Sequence, residues 1–163
     1  ASLGQHIRAE LESDAPFFLH FAQNALLYKP PLGFFGQIVT DTEGAGGART
    51  FSVKEAMMPI VNFARLYALR WAVEERSTPE RLRRLADKSV LTSSSLAEIE
   101  AAYGCLMDLR IRHQTRLALS GVQPDNLIQP QALPEVEAVM VRKSLAQIGL
   151  LMKRLSFDFL GHG

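Results

Sequence analysis

The sequence has very little cysteine, no long apolar run and almost no net charge, and each shortage excludes a class of protein. A single cysteine, Cys105, cannot form a disulfide within the 163-residue chain, which suits a reducing cytoplasm. No apolar run reaches the roughly 18–20 residues that cross a bilayer. With 18 Lys and Arg against 17 Asp and Glu, no overall field attracts nucleic acid or an acidic membrane. We therefore expect a cytoplasmic protein whose partners are neither nucleic acid nor membrane.

Several catalytic motifs are also missing. The sequence has neither G-x-x-x-x-G-K-[ST] nor a G-x-G-x-x-G that follows a strand, which excludes the common phosphate-binding loops. It has no H-E-x-x-H, and its four histidines lack the spacing of metal ligands. Asp41 and Glu43 are two carboxylates separated by one residue, and the glycine-rich segment around them favours a flexible turn over a metal site. We predict no metal site and no catalytic residue in this chain.

What the sequence does contain is helical periodicity. Hydrophobic residues make up 47% of the chain, enough for one domain with a buried core. Apolar residues recur in steps of three and four, which predicts helices at 3–14, 14–28, 60–75, 78–88, 95–119 and 134–160. Two short apolar segments, 32–39 and 50–53, flank a glycine-rich turn and predict a hairpin. The predicted fold is all-α: a bundle of about five to six helices with a small inserted β-hairpin.

The start and the inward face of two of these helices can be predicted more closely. Pro59 favours a helix that begins beside it, since proline fits the first helical position. The inward stripe of that helix is predicted to contain Ile60, Ala64, Tyr67, Ala68 and Trp71. In the last helix, the residues predicted to face inward are Val136, Met140, Ile148, Leu151, Leu155 and Phe159.

Two titratable residues interrupt the apolar face of the central helix. The positions predicted to face inward, in steps of four and three, are Ile99, Tyr103, Leu106, Arg110, His113 and Leu117. Buried cations are costly unless they are paired. Arg110 and His113 therefore either border a polar cavity or meet acceptors that the fold places beside them, and the sequence leaves both alternatives open.

Four separated segments carry a family resemblance. They are 31–36 (PLGFFG), 51–69 (FSVKEAMMPIVNFARLYAL), 106–114 (LMDLRIRHQ) and 123–126 (QPDN). In this order they resemble the nucleotidyltransferase substrate-binding domain, over about residues 15–160. That family forms the C-terminal helical part of bacterial signal-transduction proteins that also carry cyclic-nucleotide-binding-like, CBS and nucleotidyltransferase modules. The helical segments are also similar to the bundles of glutamine synthetase adenylyltransferases and PII uridylyltransferases.

The resemblance implies a division of labour between two domains. Residues 1–163 would be a single helical domain, a C-terminal fragment of a larger protein. A nucleotidyltransferase catalytic domain would precede it in cis and bind Mg²⁺ and a nucleoside triphosphate, so this chain would hold no cofactor. Because the paired aspartates of catalysis are missing here, we expect no catalysis by the chain alone. The substrate-binding candidates are Arg110, His113, Gln114 and Arg65, with Lys54 and Asn126 at the mouth of the cleft.

An alternative is a non-catalytic regulatory or protein-interaction module. Such a bundle would dock on a partner protein, such as a protein acceptor, or form a homodimer. Its contact surface would be an apolar patch made from Phe34, Phe35 and Trp71, or from Met57 and Met58. An open polar cleft lined by Arg110 and His113 would favour the substrate-binding alternative.

Overall fold

A computed structural model of the chain describes residues 14–161. Within this range the fold is a bundle of five helices with a small antiparallel sheet, so the predicted all-α architecture is confirmed. No helix of the described part is both long and apolar enough to span a bilayer. The predicted helix at 3–14 lies outside the described residues. The elements are α1 (Ala15–Ala25), β1 (Thr42–Glu43), β2 (Arg49–Ser52), α2 (Val53–Arg70), α3 (Thr78–Asp87), α4 (Ser93–Leu119), β3 (Leu127–Ile128) and α5 (Glu135–Leu160).

Short polar side chains define where four of the helices begin. Asp14 accepts a hydrogen bond from the Phe17 backbone N–H at 3.0 Å, which confirms the predicted start of α1. Three hydroxyl caps follow the same rule, at Ser52, Ser77 and Thr92. With these caps α3 begins at residue 78, as predicted, and α4 begins at residue 93, two residues before the predicted start.

The helix around Pro59 differs from the prediction. It begins at Val53, seven residues before the predicted start, and ends at Arg70, so Pro59 lies buried inside α2. An internal proline lacks the N–H for the carbonyl four residues before it, at a cost of about 3 kcal/mol. The cap at Ser52 and the burial of Val53 and Ala56 in the first turns offset this cost. Trp71, predicted to face inward, follows the last helical turn and is 38% exposed.

The sheet also pairs differently from the predicted hairpin. β2 is the central strand, antiparallel to β1 on one side and to β3 on the other. Residues 32–39 form no strand with it, but close on themselves through a bridge between Leu32 and Ile38. The strand β3 lies between the predicted helices 95–119 and 134–160, in a segment for which the sequence predicts no strand. Its pairing of Leu127 with Ser52 places the 125–126 segment beside the start of α2.

The core is continuous, and α2 occupies its centre, packed against the other four helices. In α5 the buried stripe runs through Ala138, Val141, Leu145, Ile148, Leu151 and Leu155. The predicted inward positions Val136 and Met140 are wrong, because they are 74% and 53% exposed. Their spacing fits a helical stripe equally well, so only the tertiary contacts of α5 decide which stripe is buried.

We expect Leu106→Ala to lower the free energy of unfolding by about 2–5 kcal/mol, because it leaves a cavity at a fully buried position of α4. Ile111→Ala is the matched control: it lies on the same helix, is 55% exposed, and should change stability by about 0.5 kcal/mol or less. Urea unfolding followed by circular dichroism measures both. Equal losses in the two variants would contradict this assignment of the core.

Candidate functional site

Three of the residues predicted to bind substrate meet at the second half of α4. Arg110 Nε donates to Asn126 Oδ1 at 2.8 Å, and Gln114 Nε2 donates to the same oxygen at 3.2 Å. The backbone carbonyl of Asn126 accepts from the Val53 N–H at 2.9 Å. These contacts, which we call the Asn126 cluster (Arg110, Gln114 and Asn126), join α4, the residue before β3 and the first turn of α2. All three side chains are half-buried.

His113, one turn along α4, is held by a second pair of contacts. Its Nε2 lies 2.7 Å from Asp125 Oδ1, and its Nδ1 lies 3.2 Å from Arg116 Nη2. The guanidinium can only donate, so Nδ1 accepts and Nε2 carries the proton that is donated to Asp125. The imidazole therefore has a defined tautomer while its side chain stays 10% exposed.

Asp125 is the carboxylate that orients this histidine. Burial alone would raise the pKa of Asp125, but the hydrogen bond from His113 and the bond from the Leu127 backbone N–H outweigh it and lower the pKa below its ordinary value. The carboxylate thus stays ionised and fixes both the histidine ring and the start of β3.

An open depression of about 600 Å³ lies beside this histidine, between α4, β3 and the start of α5. We call it the α4–α5 cleft. Its lining combines apolar residues with the polar His113 and the charged residues Arg112, Arg116, Asp125 and Glu137. Arg112 donates to Glu137 and to Asp108, and the bond to Glu137 is the main reason why the pKa of Arg112 is raised. The cleft is therefore polar, and its charges are balanced.

The structure separates the predicted site residues into three places. His113 lines the α4–α5 cleft, whereas the Asn126 cluster lies behind the lining. Lys54 is exposed on the first turn of α2 and makes no hydrogen bond or ion pair within residues 14–161. Arg65 lines a separate depression of about 290 Å³ together with Arg81. Burial and then the charge of Arg65 lower the pKa of Arg81.

Four charged residues of the cleft were missed from the sequence. Arg112 lies inside the quoted α4 motif, Arg116 follows that motif one helical turn after Arg112, and Asp125 precedes Asn126 in another quoted segment. Because these three residues are close in the sequence to the predicted site residues, the sequence could have indicated them as further candidates. Glu137 gave none, because its contact with Arg112 spans 25 residues and depends on how α5 packs.

Within residues 14–161, no three His, Cys, Asp or Glu side chains lie close enough together to hold a metal ion. The arrangement of the α4–α5 cleft is suited to hydrogen bonding and charge recognition.

The fold and this cleft can now be compared with known proteins. A family model described as "Putative nucleotidyltransferase substrate binding domain" matches residues 15–159, and the chain belongs to that family. The match confirms the resemblance found in the four sequence segments. The comparison with curated proteins and the comparison with solved structures each gave no match.

We expect Asn126→Ala to lower the free energy of unfolding by about 1–3 kcal/mol, because Arg110 and Gln114 both lose their acceptor. Asn126→Asp keeps an oxygen at the same position and should lose less. Urea unfolding of the two variants measures the difference. Equal losses would mean that the acceptor atom contributes nothing to the Asn126 cluster.

A pH dependence follows from Asp125. The pKa of Asp125 is lower in the folded chain than its ordinary value of about 3.9. The ionised carboxylate therefore contributes its full stabilisation of the fold above about pH 3.9, and this contribution is lost as the pH falls through the folded pKa. The stability difference between the wild type and Asp125→Asn should be largest near neutral pH and shrink below about pH 4. Urea unfolding over a pH series tests this, and a difference that grows on acidification would contradict it.

Proposed function

We propose that this domain forms the substrate-facing wall of a nucleotidyltransferase in a bacterial, cytoplasmic signal-transduction protein. The observation that carries the proposal is the α4–α5 cleft, whose polar side chains come from the family-matched part of the chain. The catalytic domain would lie in cis and contribute the other wall. On this proposal the domain binds and orients nucleotide or acceptor, and the chemical step occurs elsewhere.

Arg116 is the cleft residue best placed to meet an anionic ligand group. It is exposed, and its Nη2 contacts a ring nitrogen of His113. Arg112, by contrast, is engaged by the carboxylates of Asp108 and Glu137. A guanidinium has five N–H donors in a planar fork that matches phosphate or carboxylate oxygens. We therefore infer that Arg116 binds the ligand while Arg112 maintains the cleft.

The residues behind the lining have a positioning role in this proposal. Arg110 and Gln114 hold Asn126, and the neighbouring Asp125 holds the ring of His113. A binding group that is already oriented loses less conformational entropy when its ligand arrives. The cation that interrupts the apolar face of α4, Arg110, is thus explained by the acceptor that the fold places beside it, the side-chain oxygen of Asn126.

The metal-dependent part of the reaction is assigned to the catalytic domain in cis. Mg²⁺ and the nucleoside triphosphate require closely spaced carboxylates, and this chain would take no cofactor of its own. A protein acceptor, or a second copy of the chain, would reach the cleft from its open side. This division leaves the helical domain the task of selecting what enters.

The interaction-module alternative is favoured by a different surface. Phe34 and Phe35 are 96% and 89% exposed, and their rings contact each other edge to face at 5.3 Å. They lie in the turn that the Leu32–Ile38 bridge closes. The predicted patch changes in one respect, since Met57 is buried and cannot contribute to it. Two exposed aromatic rings on a closed turn suit docking against another protein surface.

We expect Arg116→Ala to weaken nucleotide binding in the α4–α5 cleft at least about tenfold, since a lost charge-assisted bond costs about 1.5–3 kcal/mol. The probes are Mg²⁺ complexes of ATP, GTP, CTP and UTP, titrated into the ¹⁵N-labelled chain. Saturable shifts of backbone amides in α4 and around β3 should accompany binding.

The control for this experiment is Arg83→Ala. Arg83 is exposed and pairs with Glu100, away from the lining of the cleft, so its loss should leave the affinity unchanged. The proposal fails if none of the four nucleotides shifts the cleft amides, or if Arg116→Ala binds as tightly as the wild type.

A further inference from the structure

A second polar depression lies at the opposite end of α5. It has a volume of about 570 Å³ and lies where α1, the end of α2 and the turn after α3 meet α5. We call it the α1–α5 pocket. Its lining shares no residue with that of the α4–α5 cleft. Arg154 in this pocket lies 17 residues after Glu137 of the cleft, about 25 Å along the helix axis. Volumes of this size accommodate small organic ligands.

The charge of this pocket is strongly positive. Three cationic side chains line it, Arg70, Lys88 and Arg154, against one carboxylate, Asp158. Asp158 already accepts a hydrogen bond from the Tyr67 hydroxyl, and Arg154 Nε lies 3.5 Å from it. The lining therefore has two positive charges in excess, although the whole chain is nearly neutral.

Two of these cations have donors to spare. Within residues 14–161, neither Arg70 nor Lys88 contacts a carboxylate, and both are exposed. The guanidinium carbon of Arg70 lies 5.3 Å from the centre of the Phe18 ring, which restricts its orientation. Arg154 differs, because its Nη2 donates to the Val90 carbonyl at 2.7 Å. An anion entering the pocket would thus meet Arg70 and Lys88 with their donors available.

A stack of aromatic rings ends in the same pocket. Phe63 and Tyr67 stack with their ring centroids 4.0 Å apart. The rings of Tyr67 and Trp71 are almost parallel, with centroids 5.3 Å apart and an interplanar angle of 6°. Burial and then the bond to Asp158 raise the pKa of Tyr67, so its hydroxyl remains a donor. The hydroxyl bond fixes the ring on which Trp71 rests. Trp71 lines the pocket and is 38% exposed, so its indole offers a prepared surface for another planar ring.

We propose that the α1–α5 pocket binds a mononucleotide, a nucleoside mono- or diphosphate. The phosphate group lies against Arg70 and Lys88, since guanidinium and ammonium donors match its oxygens. The base stacks on Trp71, as bases do on aromatic side chains. Cations alone would suit any small anion, and the indole alone any planar ring. Their juxtaposition selects a ligand with both parts, at a site separate from the α4–α5 cleft.

Trp71 provides the test, because it is the only tryptophan in the chain. ADP titrated into the 163-residue protein should change its tryptophan fluorescence saturably, with a Kd below about 1 mM. Arg70→Ala and Lys88→Ala should each raise that Kd about tenfold, the effect of losing one charged hydrogen bond. Because both residues are exposed, thermal unfolding of the variants should match the wild type.

Matched ligands and variants separate the possible outcomes. Inorganic phosphate, followed by calorimetry, and adenosine should each bind at least tenfold more weakly than ADP. Arg83→Ala and Arg116→Ala should leave the fluorescence titration unchanged, which distinguishes this pocket from the α4–α5 cleft. The proposal is overturned if ADP gives no saturable change, if both pocket variants keep the wild-type Kd, or if phosphate alone binds as tightly as ADP.

Discussion

The side-chain oxygen of Asn126 is the contact on which the polar part of this domain depends. It accepts hydrogen bonds from two residues of α4, while the backbone carbonyl of the same residue accepts from the N–H that begins α2. One residue thus joins the central helix of the core, the second half of α4 and the short strand β3. Without it, a half-buried guanidinium would lose an acceptor, which is more costly than the bond itself is favourable.

This constraint explains why the α4–α5 cleft can be both open and ordered. Asp125 precedes Asn126, so fixing one residue fixes the backbone of the other. The Asp125 carboxylate then accepts from His113 and from the Leu127 N–H, and each bond favours its ionised form. His113 is therefore oriented within the lining by Asp125, whose backbone is fixed by the neighbouring Asn126 cluster behind the lining. Such an arrangement is what a binding wall requires if the chemistry is done by another domain.

Local signals in the sequence predicted much of this fold. Helix periodicity and capping residues predicted all five described helices, and the interrupted stripe of α4 drew attention to Arg110 and His113. The features that the sequence did not predict depend on contacts between residues that are distant in the sequence. The partner of Arg110 lies 16 residues away, and β3 has only two residues, so neither has a periodic pattern. At Pro59 a strong local preference is overridden by packing, and in α5 two stripes of equal spacing compete until the bundle buries one.

The positions of the candidate site residues could also be predicted only in part, because they too depend on contacts between residues that are distant in the sequence. Gln114 and Asn126 lie with Arg110, although Asn126 was expected with Lys54 at the mouth of the cleft. Arg65 and Lys54 lie elsewhere, because position along α2 decides which neighbours they meet. The nearly neutral composition of the chain also says little about its binding surfaces. It excludes an electrostatic field over the whole molecule, but it averages two surfaces whose local charges differ. In the α4–α5 cleft, the positive charges of Arg112 and Arg116 are balanced by the carboxylates of Asp125 and Glu137, and Arg112 pairs with Glu137.

At the other end of α5, the nearly zero net charge of the chain hides a local excess of positive charge. Arg70, Lys88 and Arg154 come from three different helices or their ends, and they are 18 and 66 residues apart in the sequence. Only the packing of α2 against α3 and α5 concentrates their charge. Because surface fields fall off over about a Debye length of 8–10 Å, such a cluster acts on its own pocket with little influence on the cleft about 25 Å away. The two surfaces can therefore differ in the ligands they bind, although both rest on one helix and one core.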